Sequence, residues 1–297
     1  MYKFCFSLYA LLLLASCDTP KPIVSGEEWE SLFNNKDLTG WDIKIAGHDL
    51  NDNFNNTFYV KDSMLVVDYS GYEKFTAEFG HIYYNKPFSY YKVRLEYQFY
   101  GDQLTGGPDY ARLNSGIMMH SQSAASLGKE QTFPVSLEMQ FLASDSANKR
   151  HTGNLCTPGT LVSMNGKPAY DHCIDSKSKY YNPDEWVTAE AIVYGDSVIH
   201  QIINGDTVLT YEKPVVAGDF VNTAFNFTLG GFAADSAQWI QKKNMPLTTG
   251  YIALQAESHP VKFRKIELLN LEGCMDKNAT NYKSYYIKAD NSKCTYK

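Results

Sequence analysis

Between Trp186 and Tyr211 apolar and polar side chains alternate almost one for one, and the rhythm breaks only at Gly195-Asp196 and Asn204-Gly205. A period of two puts successive side chains on opposite faces of an extended chain. Asn-Gly is the dipeptide that most readily closes a two-residue hairpin. The segment therefore predicts a meander of three strands, Trp186 to Tyr194, Val198 to Asn204 and Thr207 to Tyr211. The same pattern predicts strands over Phe58 to Tyr69, Tyr90 to Tyr100, Ser115 to His120, Val135 to Leu142 and Gly250 to Ala256. Only Glu27 to Phe33 and Ser236 to Lys243 read as helical. Many short strands punctuated by Gly, Asn, Asp and Pro predict an all-β sandwich or jelly roll, and no P-loop or Gly-x-Gly-x-x-Gly suggests otherwise.

Alternation also assigns faces. In Val135 to Leu142 the residues Leu137, Met139 and Phe141 point one way, so Ser136, Glu138 and Gln140 point the other. In Asn114 to His120, Ile117 and Met119 face the core, and Gly116, Met118 and His120 share the opposite face. Gly116 leaves that face without a side chain, as a bound ring would require. If the two strands lie in one sheet, His120, Glu138 and Gln140 form a polar cluster. The competing reading is an ordinary solvated outer face.

The amino terminus carries an address. Met1-Tyr2-Lys3 is followed by an apolar run, Phe4 to Leu14, too short to span a bilayer. It ends in Leu14-Ala15-Ser16-Cys17, which resembles a bacterial lipobox and predicts a lipidated Cys17 and a cell-envelope location. Residues 1–17 are then a leader, 18–26 a tether, 27–270 the main body and 271–297 a terminal module. No later stretch is apolar enough to cross a membrane, so attachment would rest on the acyl chains at Cys17. Of six cysteines, Cys5 falls in the leader. Cys156, Cys173, Cys274 and Cys294 allow three pairings, of which the sequence-local Cys156–Cys173 and Cys274–Cys294 are favoured over a zinc site, since no Cys-x-x-Cys occurs. A net charge of −6 with 20% charged residues gives no basic footprint and argues against nucleic acid as a partner. Aromatic residues at 14% suit both β-packing and flat sugar-binding platforms.

Four stretches resemble the 3-keto-disaccharide hydrolase domain family: Ser31 to Trp41, Asn114 to His120, Ser136 to Gln140, and Gly250 to Gln255 with Val261 to Ile266. Together they frame Glu27 to Leu269. The resemblance implies a concanavalin-like jelly roll, a small carbohydrate substrate, and an acidic strand motif at Leu137-Glu138-Met139-Gln140. Many members carry Arg where this chain has His120. Thr157-Pro158-Gly159-Thr160 looks like a loop that could form a lid or rim. The tail, Gly273 to Tyr296, resembles a Cys-bracketed module found at the ends of secreted bacterial proteins, and reads as a structural clip held by its disulfide.

Glycosidases of the common kind use two carboxyl groups about 5 to 9.5 Å apart. Sandwich-fold glucanases often carry theirs as Glu-x-Asp-x-x-Glu on one strand. Here those positions are Glu138, Gln140 and Ala143, so a second carboxyl is missing from the motif. A 3-keto sugar asks for less: one base for the acidified C2 proton, a donor for the enolate oxygen and an acid for the leaving group. The expected assignment is Glu138 as base, its pKa raised by burial, and His120 as acid or enolate donor. Gln140 and Asn114 would bind hydroxyls, with Glu257 and His259 either lining the same rim or forming a solvated turn, and Arg264 as a further substrate contact, though an arginine there more often makes a structural ion pair. His151 and His200 stand alone. A divalent cation could enter at the acidic-amide loop of Asp49, Asn51, Asp52 and Asn53, or between His120 and Glu138. The alternative function is a non-catalytic carbohydrate-binding module, with Glu138 solvated beside an open aromatic platform.

Overall fold

A computed structural model describes residues 26–217 and 236–297 of the chain. The predicted leader, with Cys5 and Cys17, and most of the tether lie outside the described residues. Two antiparallel sheets pack face to face as a jelly-roll sandwich. Seven strands form one sheet, in spatial order Cys173–Ile174, Asn154–Cys156, Leu137–Leu142, Asn114–Ser121, Gly250–Ala256, Gly80–Phe88 and Trp41–Ile45. The other sheet has ten strands and is centred on Tyr90–Phe99, which lies between Val187–Tyr194 and Val261–Asn270.

The core is the sum of the inward halves of these alternating strands. Tyr90–Phe99 and Val187–Tyr194 bury every second residue along their whole length. Tyr97 from the larger sheet stacks on Phe141 from the smaller, centroids 4.3 Å apart, and its hydroxyl pairs with Thr152 Oγ1 at 2.6 Å. Such aromatic pairs bury large apolar areas while the phenol keeps a polar partner.

The predicted meander is present as Val187–Tyr194, Val198–Ile203 and Asp206–Val216. Asn204 and Gly205 both take positive φ, 48° and 87°, as a two-residue hairpin turn demands. Two expectations need correction. Phe58 to Tyr69 is a hairpin of Phe58–Lys61 and Met64–Val67, because Asp62 and Ser63 turn the chain with φ of 50° and 61°. Glu27 to Phe33 is not helical. Glu30–Ser31 instead pairs along Val261–Asn270, and Leu32 and Phe33 drop into the core beneath it. The second predicted helix forms, over Ser236–Gln241. The strand Gly80–Phe88, which the alternation does not mark, lies one in from the edge of the smaller sheet, between Gly250–Ala256 and Trp41–Ile45.

Both sequence-local disulfides are formed, Cys156–Cys173 and Cys274–Cys294. The second closes the tail, where Glu272–Gly273 pairs in parallel with Lys288–Ala289. None of the described helices is long and apolar enough to cross a membrane.

Candidate functional site

The outward face of the seven-stranded sheet carries the polar halves of its strands. Glu138 lies opposite Met118 on one neighbouring strand and Cys156 on the other; Gln140 lies opposite Gly116 and Asn154. The segment between Asn114–Ser121 and Leu137–Leu142 folds over part of this face, packing Ala124 and Leu127 on Tyr83, Met118 and Ala253. Beyond that cover the face opens into a cavity of about 240 Å³.

Glu138 lies within this cavity, 5% exposed. Its carboxyl leans across Gly116: a Cβ at position 116 would stand 2.7 Å from Oε1, so the glycine makes room for the acid. Burial pushes the Glu138 carboxyl up to about 8, since desolvation penalises the charged form. Glu257, just past the end of Gly250–Ala256, enters the same cavity. It is 3% exposed, and its Oε2 has no hydrogen-bond partner among the described residues. Burial raises its pKa well above the usual carboxylate range, the charge of Glu138 raises it further, and the Arg150 guanidinium opposes both. Two carboxyl groups thus share one desolvated pocket. The second one, missing from the strand motif, arrives from a different strand.

Amides line the space between. Asn114 donates Nδ2 to the Tyr110 carbonyl at 3.1 Å and leaves Oδ1 without a partner among the described residues. Gln140 Oε1 accepts from Asn154 Nδ2 at 3.3 Å. The walls are apolar: Phe133, Pro158 of the expected rim loop, and the Cys156–Cys173 disulfide all line the cavity. The disulfide joins directly paired residues, with Cα atoms 4.1 Å apart, and so carries His172 into the wall. Burial pushes the His172 imidazole below its ordinary pKa. Tyr110 borders the pocket with half its surface exposed, and burial together with the nearby Glu257 pushes its phenol up to about 12.

The structure does not bring His120 to this pocket. His120 takes φ of +47°, and the pairing with Gly250–Ala256 shifts register between Tyr251 and Ala253. Gly250 crosses so closely that a Cβ there would meet the His120 carbonyl carbon at 2.3 Å. The irregularity breaks the alternation and turns the imidazole between the sheets. There Nε2 meets the Gly195 carbonyl at 3.0 Å, the ring edge faces Tyr91, and burial holds the pKa down to about 4. The polar cluster expected of His120, Glu138 and Gln140 therefore lacks its histidine.

His259 is also turned away. It is buried beside Phe99, ring centroids 5.7 Å apart, with its pKa pushed down to about 4 by burial and then by Arg112. Arg264 sits on the outer face of the ten-stranded sheet, 3.9 Å over the Trp186 ring, and donates Nε to Glu96 at 2.6 Å. That is the structural ion pair an arginine in this place more often makes.

In the acidic-amide loop Asn51 Oδ1 accepts from the Ile43 N–H at 2.8 Å and Asn53 Oδ1 from the Phe58 N–H at 3.0 Å, so both asparagines serve as backbone caps. Asp49 and Asp52 face Lys129 and His48. Among the described residues no group of three or more His, Cys, Asp or Glu side chains is placed to hold a metal ion.

Sequence reasoning missed Tyr110, Phe133 and His172 as lining residues. The signal for His172 was its place beside Cys173, whose partner Cys156 lies across from Glu138.

The site is thus a jelly-roll sheet face on which two buried acids and several amides surround one cavity. The chain belongs to the 3-keto-alpha-glucoside-1,2-lyase-like domain family, whose model matches residues 28–269. None of the curated proteins matches it. Several solved structures resemble it loosely. A provisionally assigned glycosyl hydrolase from Parabacteroides distasonis is 20% identical, with 82% of this chain and 94% of that one covered at a TM-score of 0.46. The carbohydrate-binding module CBM66 from Bacillus subtilis is 9% identical, covering 78% and 96% at 0.43. A Bacillus licheniformis β-glucanase is 12% identical, covering 83% and 98% at 0.44. Likeness at this level says nothing about activity.

Proposed function

We propose that the protein cleaves the glycosidic bond of 3-keto-glycosides, including 3-keto-disaccharides, by base-assisted elimination followed by hydration. The observation that carries this reading is the pair of desolvated carboxyl groups, Glu138 and Glu257, in one cavity of a domain belonging to a 3-keto-glucoside lyase-like family. Once one member of such a pair ionises, its charge raises the cost of ionising the other, so the pair holds one base and one acid over a common pH range. Glu138 is the base. Its carboxylate takes the proton from C2, and the C–H electron pair moves into the C2–C3 bond as the C3 carbonyl becomes an enolate. The enolate collapses to a C1–C2 double bond, the C1–O bond breaks, and the departing oxygen takes the proton of Glu257. Water then adds at C1 and a proton returns to C2, giving the free keto-sugar. Asn114 and Gln140 hold hydroxyls at the pocket wall.

The experiment is to incubate the protein in D₂O with a 3-keto-disaccharide and with its unoxidised parent. Monosaccharide release from the keto-sugar alone, with deuterium at C2, is the expected result. Release from the parent without exchange at C2 would replace this proposal with ordinary two-carboxylate glycoside hydrolysis, the second reading that the Glu138–Glu257 pair favours. Saturable binding of both sugars with no release would make the domain a carbohydrate-binding module.

We further propose that Cys17 carries the acyl anchor and places the domain at a bacterial membrane surface. The sequence Leu14-Ala15-Ser16-Cys17 supports that reading.

A further inference from the structure

Gln255 is fully buried on the outward face of the seven-stranded sheet, and neither its Oε1 nor its Nε2 has a hydrogen-bond partner among the described residues. A buried amide left in this state costs stability, and such groups persist where something else completes them. Its main chain is fixed, because the Gln255 carbonyl accepts from Ser115 Oγ at 2.8 Å. In the ladder His81 lies opposite it on one side. On the other side Leu254 pairs with Ile117, which puts Gln255 opposite Gly116. Gly116 has no side chain, and the space above it is where the Glu138 carboxyl leans. Adjacent strands lie about 4.8 Å apart. Gln255 and Glu138 therefore project from the strands on either side of the same glycine, on the face that carries the cavity.

We infer that Gln255 binds the C3 oxygen of a keto-sugar and donates Nε2–H to it as that oxygen becomes an enolate. The inference rests on the elimination reading above. In that reaction the proton leaves C2 while charge develops on the oxygen of the neighbouring carbon, so base and donor must stand side by side, as two residues flanking one glycine do. Asn114 is less free to serve, since one of its two Nδ2 hydrogens already goes to the Tyr110 carbonyl and its Oδ1 can only accept. Both Gln255 N–H bonds lack a partner among the described residues and are shielded from solvent, and a preorganised donor is most effective in such surroundings. When Glu138 removes the C2 proton, the C–H pair shifts into C2–C3, the carbonyl π pair moves to oxygen, and the amide N–H stabilises the charge until the C1–O bond breaks.

The test compares the wild type with Gln255→Met, which keeps the length of the side chain and removes its donors. The substrates are a 3-keto-disaccharide and a 3-keto-1,5-anhydro sugar, which has no aglycone at C1 and reports enolisation by deuterium uptake at C2. The expected variant melts at the wild-type temperature or above, because an unpaired buried amide is gone. Its kcat falls about 10²–10³-fold, as for loss of one oxyanion donor, its KM changes little, and exchange at C2 falls by the same factor. Wild-type exchange and cleavage undiminished in Gln255→Met would overturn the role of Gln255 and leave the elimination standing. Wild-type cleavage without any exchange at C2 would overturn both.

Discussion

Glu138 occupies a position that favours its neutral form, and this couples stability to pH. In the unfolded chain it titrates near the ordinary 4.5, and in the folded protein burial pushes it up to about 8. A raised pKa of this kind gives stability that is fully present below about 4.5 and is lost as pH rises through the folded value, because the unfolded chain ionises freely while the native one resists. Glu138→Gln should therefore melt higher than the wild type at pH 8 and close to it at pH 4, a difference that calorimetry at the two pH values measures. The same substitution should lower kcat by about 10²–10⁴-fold, the usual worth of a general base. The wild-type rate should climb through pH 8 as Glu138 ionises and fall at higher pH as Glu257 loses its proton, whereas Glu257→Gln should lack the falling limb. A melting temperature of Glu138→Gln that tracks the wild type at every pH would show the acid to be solvated.

Strands were legible wherever one face is core and the other is not. Leu137, Met139 and Phe141 against Glu138 and Gln140 needed only the period of two, and the structure keeps that division. His120 was not legible for a related reason. Its orientation depends on Gly250 pressing against it from a strand far away in sequence, and a single irregular residue reverses the face. Glu257 lies past the end of its strand, where alternation carries no information about which way a side chain points. The hairpin bearing His172 is held by one covalent link, Cys156–Cys173, spanning 17 residues. Replacing both cysteines by serine should cost about 3 kcal/mol of stability on chain-entropy grounds. It should also free His172 from the pocket wall, raising KM for the keto-sugar more than it lowers kcat. Steady-state kinetics beside urea denaturation separates the two effects, and an unchanged KM would mean that the wall stands without the bond.

At the scale of the whole molecule, one sheet carries the cavity and the other buttresses it. The outer face of the larger sheet is laced with ion pairs and cation–π contacts, Arg94 with Glu267 and Trp29, Arg264 with Glu96 and Trp186. Exposed pairs of this kind contribute little each, and they mark that face as solvated. The proposed anchor belongs to this scale as well. In a bacterial host fed labelled fatty acid, the protein should take up label and fractionate with membranes, and Cys17→Ala should do neither. Label retained in Cys17→Ala would place the modification elsewhere.

The segment that folds Ala124 and Leu127 over the sheet has a consequence for what can enter. Here the segment covers one part of the sheet's outward face, and the disulfide hairpin supplies part of the cavity wall. If the cavity is the site proposed above, such a cover should favour small glycosides over the interior of a long polymer, and comparing turnover of a keto-disaccharide with that of a keto-oxidised polysaccharide tests this.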